Sequence, residues 1–198
     1  LGKISAELES GKFSLLIGED ASGRIPALIV KKYVDHIYEL NSRELPQLKF
    51  VAGQVSPDSL KKHPQVAVKW KKQFEQFAGQ KALLITDFVY SGSSVAAIES
   101  VLKDIGIEID VLALHASQEN YGTEFDSSVH AGEIHEHPPK IYGRYALGGV
   151  YKKFNNAHSK PYRNINRRMT NVTEARSDIE NVAKILIAKY DSSKTPTV

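Results

Sequence analysis

Over residues 1–130 the apolar positions fall into short continuous runs separated by stretches with helical spacing. Phe13-Ser14-Leu15-Leu16-Ile17-Gly18 is an apolar run ending in glycine and predicts a buried strand. Ile25, Leu28, Ile29, Tyr33, Ile37 and Leu40 then recur at helical spacing, with Pro26 in the first turn, where its missing N–H costs nothing. Leu48 to Ala52 predicts a second strand. Gln54 to Pro64, polar and with two prolines, reads as a loop. Val66, Trp70, Phe74 and Phe77 place a helix over Val66 to Phe77 with one apolar side. Ala82 to Ile85 predicts a third strand. Val95, Ile98, Leu102 and Ile105 mark a helix that stops at Gly106, and Ile109 to Leu114 predicts a fourth strand.

Strands apolar on both faces and separated by helices define an α/β class: a parallel sheet with helices on both faces, joined by right-handed crossovers. After Ala116 the alternation stops. Residues 117–170, rich in Gly, Pro, Asn, His and Tyr, read as irregular, with short strands near Ile141 to Tyr145. Ser177-x-x-Glu180 is a capping box that opens a C-terminal helix with Ile179, Val182, Ala183, Leu186 and Tyr190 on one face. Ser192 to Val198 reads as a frayed tail. The expected division is a core over 1–116, an irregular basic cap over 117–170 and a docked helical segment over 171–198, together one domain.

Composition narrows the function classes. The 198 residues include no cysteine, which excludes disulfide frameworks, thiolate nucleophiles and cysteine-ligated zinc. A chain of this length buries a full core without staples. No apolar run approaches the ~20 residues of a membrane span. No signal-peptide pattern is present, and the chain opens on Leu1 rather than Met, as a trimmed chain or fragment does. The expected location is the cytoplasm. The net charge of +3 hides an uneven distribution. From His137 to Thr173 there are eight cations and no acid, so that stretch carries +8 and the remainder −5. Such asymmetry predicts a surface for an anionic partner.

The chemistry concentrates in Ala82-Leu83-Leu84-Ile85-Thr86-Asp87-Phe88-Val89-Tyr90-Ser91-Gly92-Ser93-Ser94-Val95: strand, acid, small-residue loop, helix. In a parallel sheet such a loop sits at the carboxyl end of its strand, where ligands bind. Ser91, Gly92, Ser93 and Ser94 offer hydroxyls and backbone N–H groups at a helix N-terminus, an arrangement that favours an anion. A carboxylate such as Asp87 beside it accepts bonds from sugar hydroxyls or holds Mg²⁺. A second loop, Gly18-Glu19-Asp20-Ala21-Ser22-Gly23-Arg24, follows the first strand, and Ser22, Gly23 and the forked donors of Arg24 suit an anion too. Glu19 and Asp20 would repel one unless a metal intervenes. The chain has neither G-x-x-x-x-G-K-[ST] nor G-x-G-x-x-G. A generic Rossmann-like domain using the same loop for another phosphorylated sugar is the plainer reading of strand, acid, loop and helix.

These residues resemble the type I phosphoribosyltransferases, over roughly residues 10–116. That family carries a strand of four apolar residues, two acids, two apolar residues and a Thr/Gly-rich loop. Thr86 falls where the first acid stands and Asp87 where the second does. Phe88 and Val89 match the apolar pair, and Tyr90, Ser91, Gly92, Ser93 and Ser94 match the loop. The resemblance implies a Rossmann-like core that binds phosphoribosyl pyrophosphate with Mg²⁺. Ser91–Ser94 would take the 5-phosphate, Asp87 the ribose or its metal, and Ser22, Gly23 and Arg24 the pyrophosphate. It implies transfer of phosphoribose to an acceptor with release of pyrophosphate. Tyr90 stands where purine-salvage members carry an acid near the base, which disfavours that reaction. Tyr, a hydroxyl residue and Gly in succession also look like the pyrimidine-operon regulators of the family, which bind RNA. The alternative is therefore a non-catalytic nucleotide sensor or RNA-binding regulator. A homodimer is the expected assembly.

Three further clusters were weighed on chemistry. Lys61, Lys62 and His63 lie where family members close a loop with a basic residue over the leaving pyrophosphate; a solvated loop is the plainer reading. His130, His135 and His137 with Glu133 and Glu136 have zinc-type residues, but Pro138-Pro139 follows and no helical i, i+4 spacing joins them, so exposed histidines are expected. The basic stretch, Lys140 to Arg168, interleaves Tyr142, Tyr145, Tyr151, Phe154 and Tyr162 with its cations, a pattern that suits base stacking beside a phosphate track.

Overall fold

Leu15, Leu16 and Ile17 are all fully buried because strand β1, Leu15–Asp20, runs inside a sheet covered on both faces. The computed structural model describes residues 1–20, 23–52, 55–117, 128–134, 150–151, 160–161 and 170–194. The chain opens with a 3₁₀ turn and α1 (Ser5–Glu9), which bury Ile4 and Leu8. After β1 come α2 (Arg24–Leu40), β2 (Gln47–Ala52), α3 (Pro57–Lys62), α4 (Pro64–Phe74) and a 3₁₀ turn at Glu75–Phe77. β3 (Lys81–Val89), α5 (Ser93–Lys103), β4 (Glu108–Ala116) and β5 (Val129–Ile134) complete the sheet. Beyond it lie a small antiparallel pair, β6 (Val150–Tyr151) with β7 (Lys160–Pro161), and the long helix α6 (Thr170–Lys194).

The five sheet strands are all parallel, in the order β2-β1-β3-β4-β5. This is the α/β architecture expected from the alternation of elements. Successive strand residues alternate between two cores. Leu15, Ile17, Ala82, Leu84, Val111 and Ala113 pack with Val66, Trp70 and Phe74 of α4 and Val95, Ile98 and Leu102 of α5. Leu16, Leu83, Ile85 and Leu112 pack on the other face with Ile4 and Leu8, with Val30, Tyr33, Val34 and Ile37 of α2, and with Tyr190 of α6. The crossovers from β1 to β2 and from β3 to β4 thus lie on opposite faces. Parallel crossovers are right-handed, so opposite faces mean opposite directions along the sheet, and the reversal falls between β1 and β3.

Several expectations are corrected. The polar stretch expected as a loop over Gln54 to Pro64 contains α3. Ser56 caps it, accepting a bond from the Ser59 N–H at 3.1 Å, and Pro57 takes the first helical position. The two prolines therefore start helices; Pro64 begins α4 in the same way. β5 lies within the stretch expected to be irregular, so the parallel sheet runs to Ile134 and not to Ala116. α6 begins at Thr170, which puts Ser177 in the helix interior instead of at its cap, and it continues through Ser192 to Lys194.

The buried stripe of α2 is Pro26, Ala27, Val30, Tyr33, Val34, Ile37 and Tyr38, shifted from the expected one, and Leu40 is 61% exposed. Tyr38 explains the shift. Its ring is buried because its hydroxyl donates to the Phe13 carbonyl at 2.9 Å and accepts the Phe13 N–H at 3.1 Å, so burial leaves no polar group without a partner. On α6, Ile179, Ala183 and Tyr190 are buried as expected, while Val182 is exposed.

The amino-terminal edge of the sheet is held by charge. Asp110 of β4 is buried and lies 2.9 Å from Lys12 and 3.0 Å from Lys81. Burial by itself would raise its carboxyl, but hydrogen bonds and charge from the two lysines outweigh that and hold it below the usual carboxylate value.

Candidate functional site

β1 and β3 are neighbours in register, Leu15 opposite Ala82 and Gly18 opposite Ile85. Their carboxyl ends flank the reversal of strand order, where open parallel sheets form a ligand crevice. β1 brings Glu19 and Asp20 there, and β3 brings Thr86, Asp87, Phe88 and Val89. The strand expected to end at Ile85 runs four residues further, so Thr86 and Asp87 belong to β3, not to the loop after it.

One step past the Gly18–Ile85 pair, the Thr86 hydroxyl donates to Oε2 of Glu19 at 2.6 Å. Both residues are buried, and both lie on the sheet face covered by α5, since Thr86 follows Ala82 and Leu84 at even spacing and Glu19 follows Leu15 and Ile17 at odd spacing. This explains why a hydroxyl replaces the family's first acid. A carboxylate at 86 would stand against that of Glu19 in a low-dielectric interior, where two like charges cannot both persist. Glu19 is the residue that motif reading did not assign a role. The signal available for it was an acid ending a buried strand.

Asp20 lies on the other face, over α2. Its carboxylate accepts from Arg24 Nε at 2.8 Å and from Arg24 Nη2, and the guanidinium carbon sits 4.4 Å from the centre of the Phe50 ring. Gly23 comes between them in sequence and caps α2. Its N–H donates to the Glu19 carbonyl at 2.7 Å, and a Cβ there would come within 2.6 Å of the Ile85 carbonyl oxygen. Only glycine lets this turn lie against β3. Ser22 falls outside the described residues.

After β3 the chain turns through Tyr90 to Ser94. Gly92 takes φ +79°, the left-handed region, and caps α5. The Ser91 and Ser93 hydroxyl oxygens lie 2.9 Å apart, and the Ser93 N–H points to Ser91 Oγ at 3.3 Å. Val95, buried against the sheet, fixes the first turn of α5. Tyr90 is 58% exposed, its ring tilted against Phe88 at 6.1 Å between centroids. Asp87 is half-buried immediately before this loop. At the end of β4, His115 is buried in register opposite Phe88, and the Ser117 N–H donates to the Val89 carbonyl at 2.9 Å, closing that side. His115 too was not singled out by sequence.

The structure thus brings Thr86, Asp87, Tyr90, Ser91, Gly92, Ser93 and Ser94 together with Gly23 and Arg24 at one end of the sheet, at the carboxyl ends of adjacent strands. It directs Arg24 to Asp20. Lys61, Lys62 and His63 lie at the exposed carboxyl end of α3, where Lys61 pairs with Asp58 at 3.1 Å. Among the described residues no group of three or more His, Asp or Glu is arranged to hold a metal. His135 and His137 lie outside the described residues, as does the basic stretch apart from β6 and β7. No described helix is long and apolar enough to cross a membrane.

The site and sheet define an α/β protein with a small-residue anion loop at the switch point of a parallel sheet. No family model matches the chain, and no curated protein matches it. In fold it is similar to several solved phosphoribosyltransferases. A purine phosphoribosyltransferase from Pyrococcus horikoshii is 14% identical over 69% of this chain and 80% of its own, with a TM-score of 0.43. An orotate phosphoribosyltransferase from Aeropyrum pernix is 14% identical over 68% and 65%, with a TM-score of 0.40. The hypoxanthine-guanine enzyme from Schistosoma mansoni, solved with IMP, is 12% identical over 67% and 58%, with a TM-score of 0.45. At these identities and scores neither a ligand nor a reaction follows for this chain, and the fold stands on its own strand order.

Proposed function

We propose that the chain binds a phosphorylated ribose, phosphoribosyl pyrophosphate or a related sugar phosphate, at the carboxyl ends of β1 and β3. The observation that supports this best is the Tyr90–Ser94 turn, in which Gly92 at φ +79° opens α5 right after Asp87, at the strand-order reversal. In this reading the serine hydroxyls and the first N–H groups of α5 hold the phosphate, with the helix dipole favouring its charge. Asp87 accepts bonds from the ribose hydroxyls.

Mg²⁺ fits as a metal that arrives with its ligand: it is usually bound through one or two carboxylates plus substrate phosphates, and Asp87 is the carboxylate here. As an enzyme, the chain would transfer phosphoribose to an acceptor while pyrophosphate leaves, mainly by positioning and charge neutralisation. The second reading, a non-catalytic nucleotide sensor or RNA-binding regulator on the same fold, is favoured by one feature: the family's first acid is replaced by Thr86, whose hydroxyl is held by Glu19.

The test is a calorimetric titration of ribose 5-phosphate with Mg²⁺ into the full chain and into Asp87→Asn. Saturable binding that Asp87→Asn weakens by about tenfold supports the reading, a loss of about 1.4 kcal/mol. No binding to the wild type sinks it.

A further inference from the structure

The loop after β1 has chemistry of its own. Arg24 is its one fixed cation, and Asp20 takes two of its donors edge-on while Phe50 covers its face. Asp20 is only 1% exposed, so its charge depends on that guanidinium. Handing Arg24 to a ligand would leave a buried carboxylate without its partner, a costly separation. The Gly23 N–H is likewise engaged, by the Glu19 carbonyl, and the turn lies too close to Ile85 to admit a Cβ. Glu19 and Asp20 place two buried carboxylates at this end of β1. The Tyr90–Ser94 loop, by contrast, contains no acid.

We propose that the site takes a ribose phosphomonoester and does not recognise a pyrophosphate group, because the Asp20–Arg24–Phe50 clasp closes the only described loop that would receive one. This rests on the reading of the Tyr90–Ser94 loop as the phosphate cradle. One phosphate is held at α5. A second phosphate at the sugar's other end would face Glu19 and Asp20, whose like charge opposes it. The ligand class is then ribose 5-phosphate or a nucleoside 5′-monophosphate, bound by one phosphate and its hydroxyls.

Ribose 5-phosphate and phosphoribosyl pyrophosphate, each with Mg²⁺, are titrated into the full chain. The expected result is affinities within about threefold of each other. Phosphoribosyl pyrophosphate tighter by more than about tenfold overturns this inference while leaving the phosphate cradle intact. Binding of neither ligand removes the cradle and this inference together, a different outcome. Asp20→Asn weakens the clasp and should raise the preference for phosphoribosyl pyrophosphate by about threefold or more, with ribose 5-phosphate binding as its internal control for folding. An unchanged preference in a variant that still binds ribose 5-phosphate overturns the role of the clasp. The wild-type comparison decides the inference if the variant does not fold.

Discussion

Thr86 on β3 donates its hydroxyl hydrogen to the Glu19 carboxylate on β1 at 2.6 Å, joining the two strand ends that flank the switch point. The acid that the family motif leads one to expect at position 86 is thus found on the neighbouring strand. A hydroxyl and a carboxylate satisfy each other where two carboxylates would repel.

Thr86→Val keeps the shape and removes this donor from a buried carboxylate. The expected loss is about 1–3 kcal/mol, read as a lower urea midpoint, whereas Thr86→Ser should recover most of it. Equal stability of the valine and serine variants would show that the bond contributes nothing.

Gly92 sits at φ +79° where α5 begins. Gly92→Ala should destabilise by about 1–2 kcal/mol through left-handed strain and should weaken phosphate binding, because the strain is relieved by moving the loop. Thermal unfolding and the ribose 5-phosphate titration measure the two effects separately.

Much of the fold was legible because the strands of a sheet covered on both faces are written as apolar runs. Leu15–Ile17, Ala82–Ile85 and Ile109–Ala113 could hardly be anything else. What escaped depended on partners far away in the chain. β5 is short and mixed in polarity, and only its pairing with β4 makes it a strand. α3 was hidden by prolines that start helices as readily as they interrupt them. At the candidate site, the Ser91–Ser94 turn and Asp87 were legible as local sequence. The Glu19–Thr86 bond and the Asp20–Arg24–Phe50 clasp were not. The first joins residues 67 positions apart, and the second depends on which face of β1 each acid occupies.

Asp110 makes acid stability testable. Its carboxyl is held below the ordinary value of 3.8, so the folded state binds fewer protons than the unfolded chain near that pH. The stability it contributes is fully present above the ordinary value and is lost as pH falls through the lower, folded value. Asp110→Asn should therefore lower stability at neutral pH and flatten the loss below about pH 4. Parallel acid limbs in denaturation series of the two proteins would contradict this.

Tyr190 anchors α6 to α2, its ring edge-on to Tyr33 at 5.8 Å. Tyr190→Ala should cost about 3 kcal/mol by opening a cavity between the two helices, as seen in thermal unfolding. Binding at the switch point should survive in the fraction that remains folded, since α6 packs away from the Tyr90–Ser94 loop on the α2 face of the sheet.

Backbone amide resonances recorded as ribose 5-phosphate is added test the central claim most directly. The account predicts that the largest shifts fall on Ser91 to Ser94, with smaller ones at Asp87 and Glu19. Shifts confined to other parts of the chain, with Ser91 to Ser94 unmoved at saturation, would contradict it.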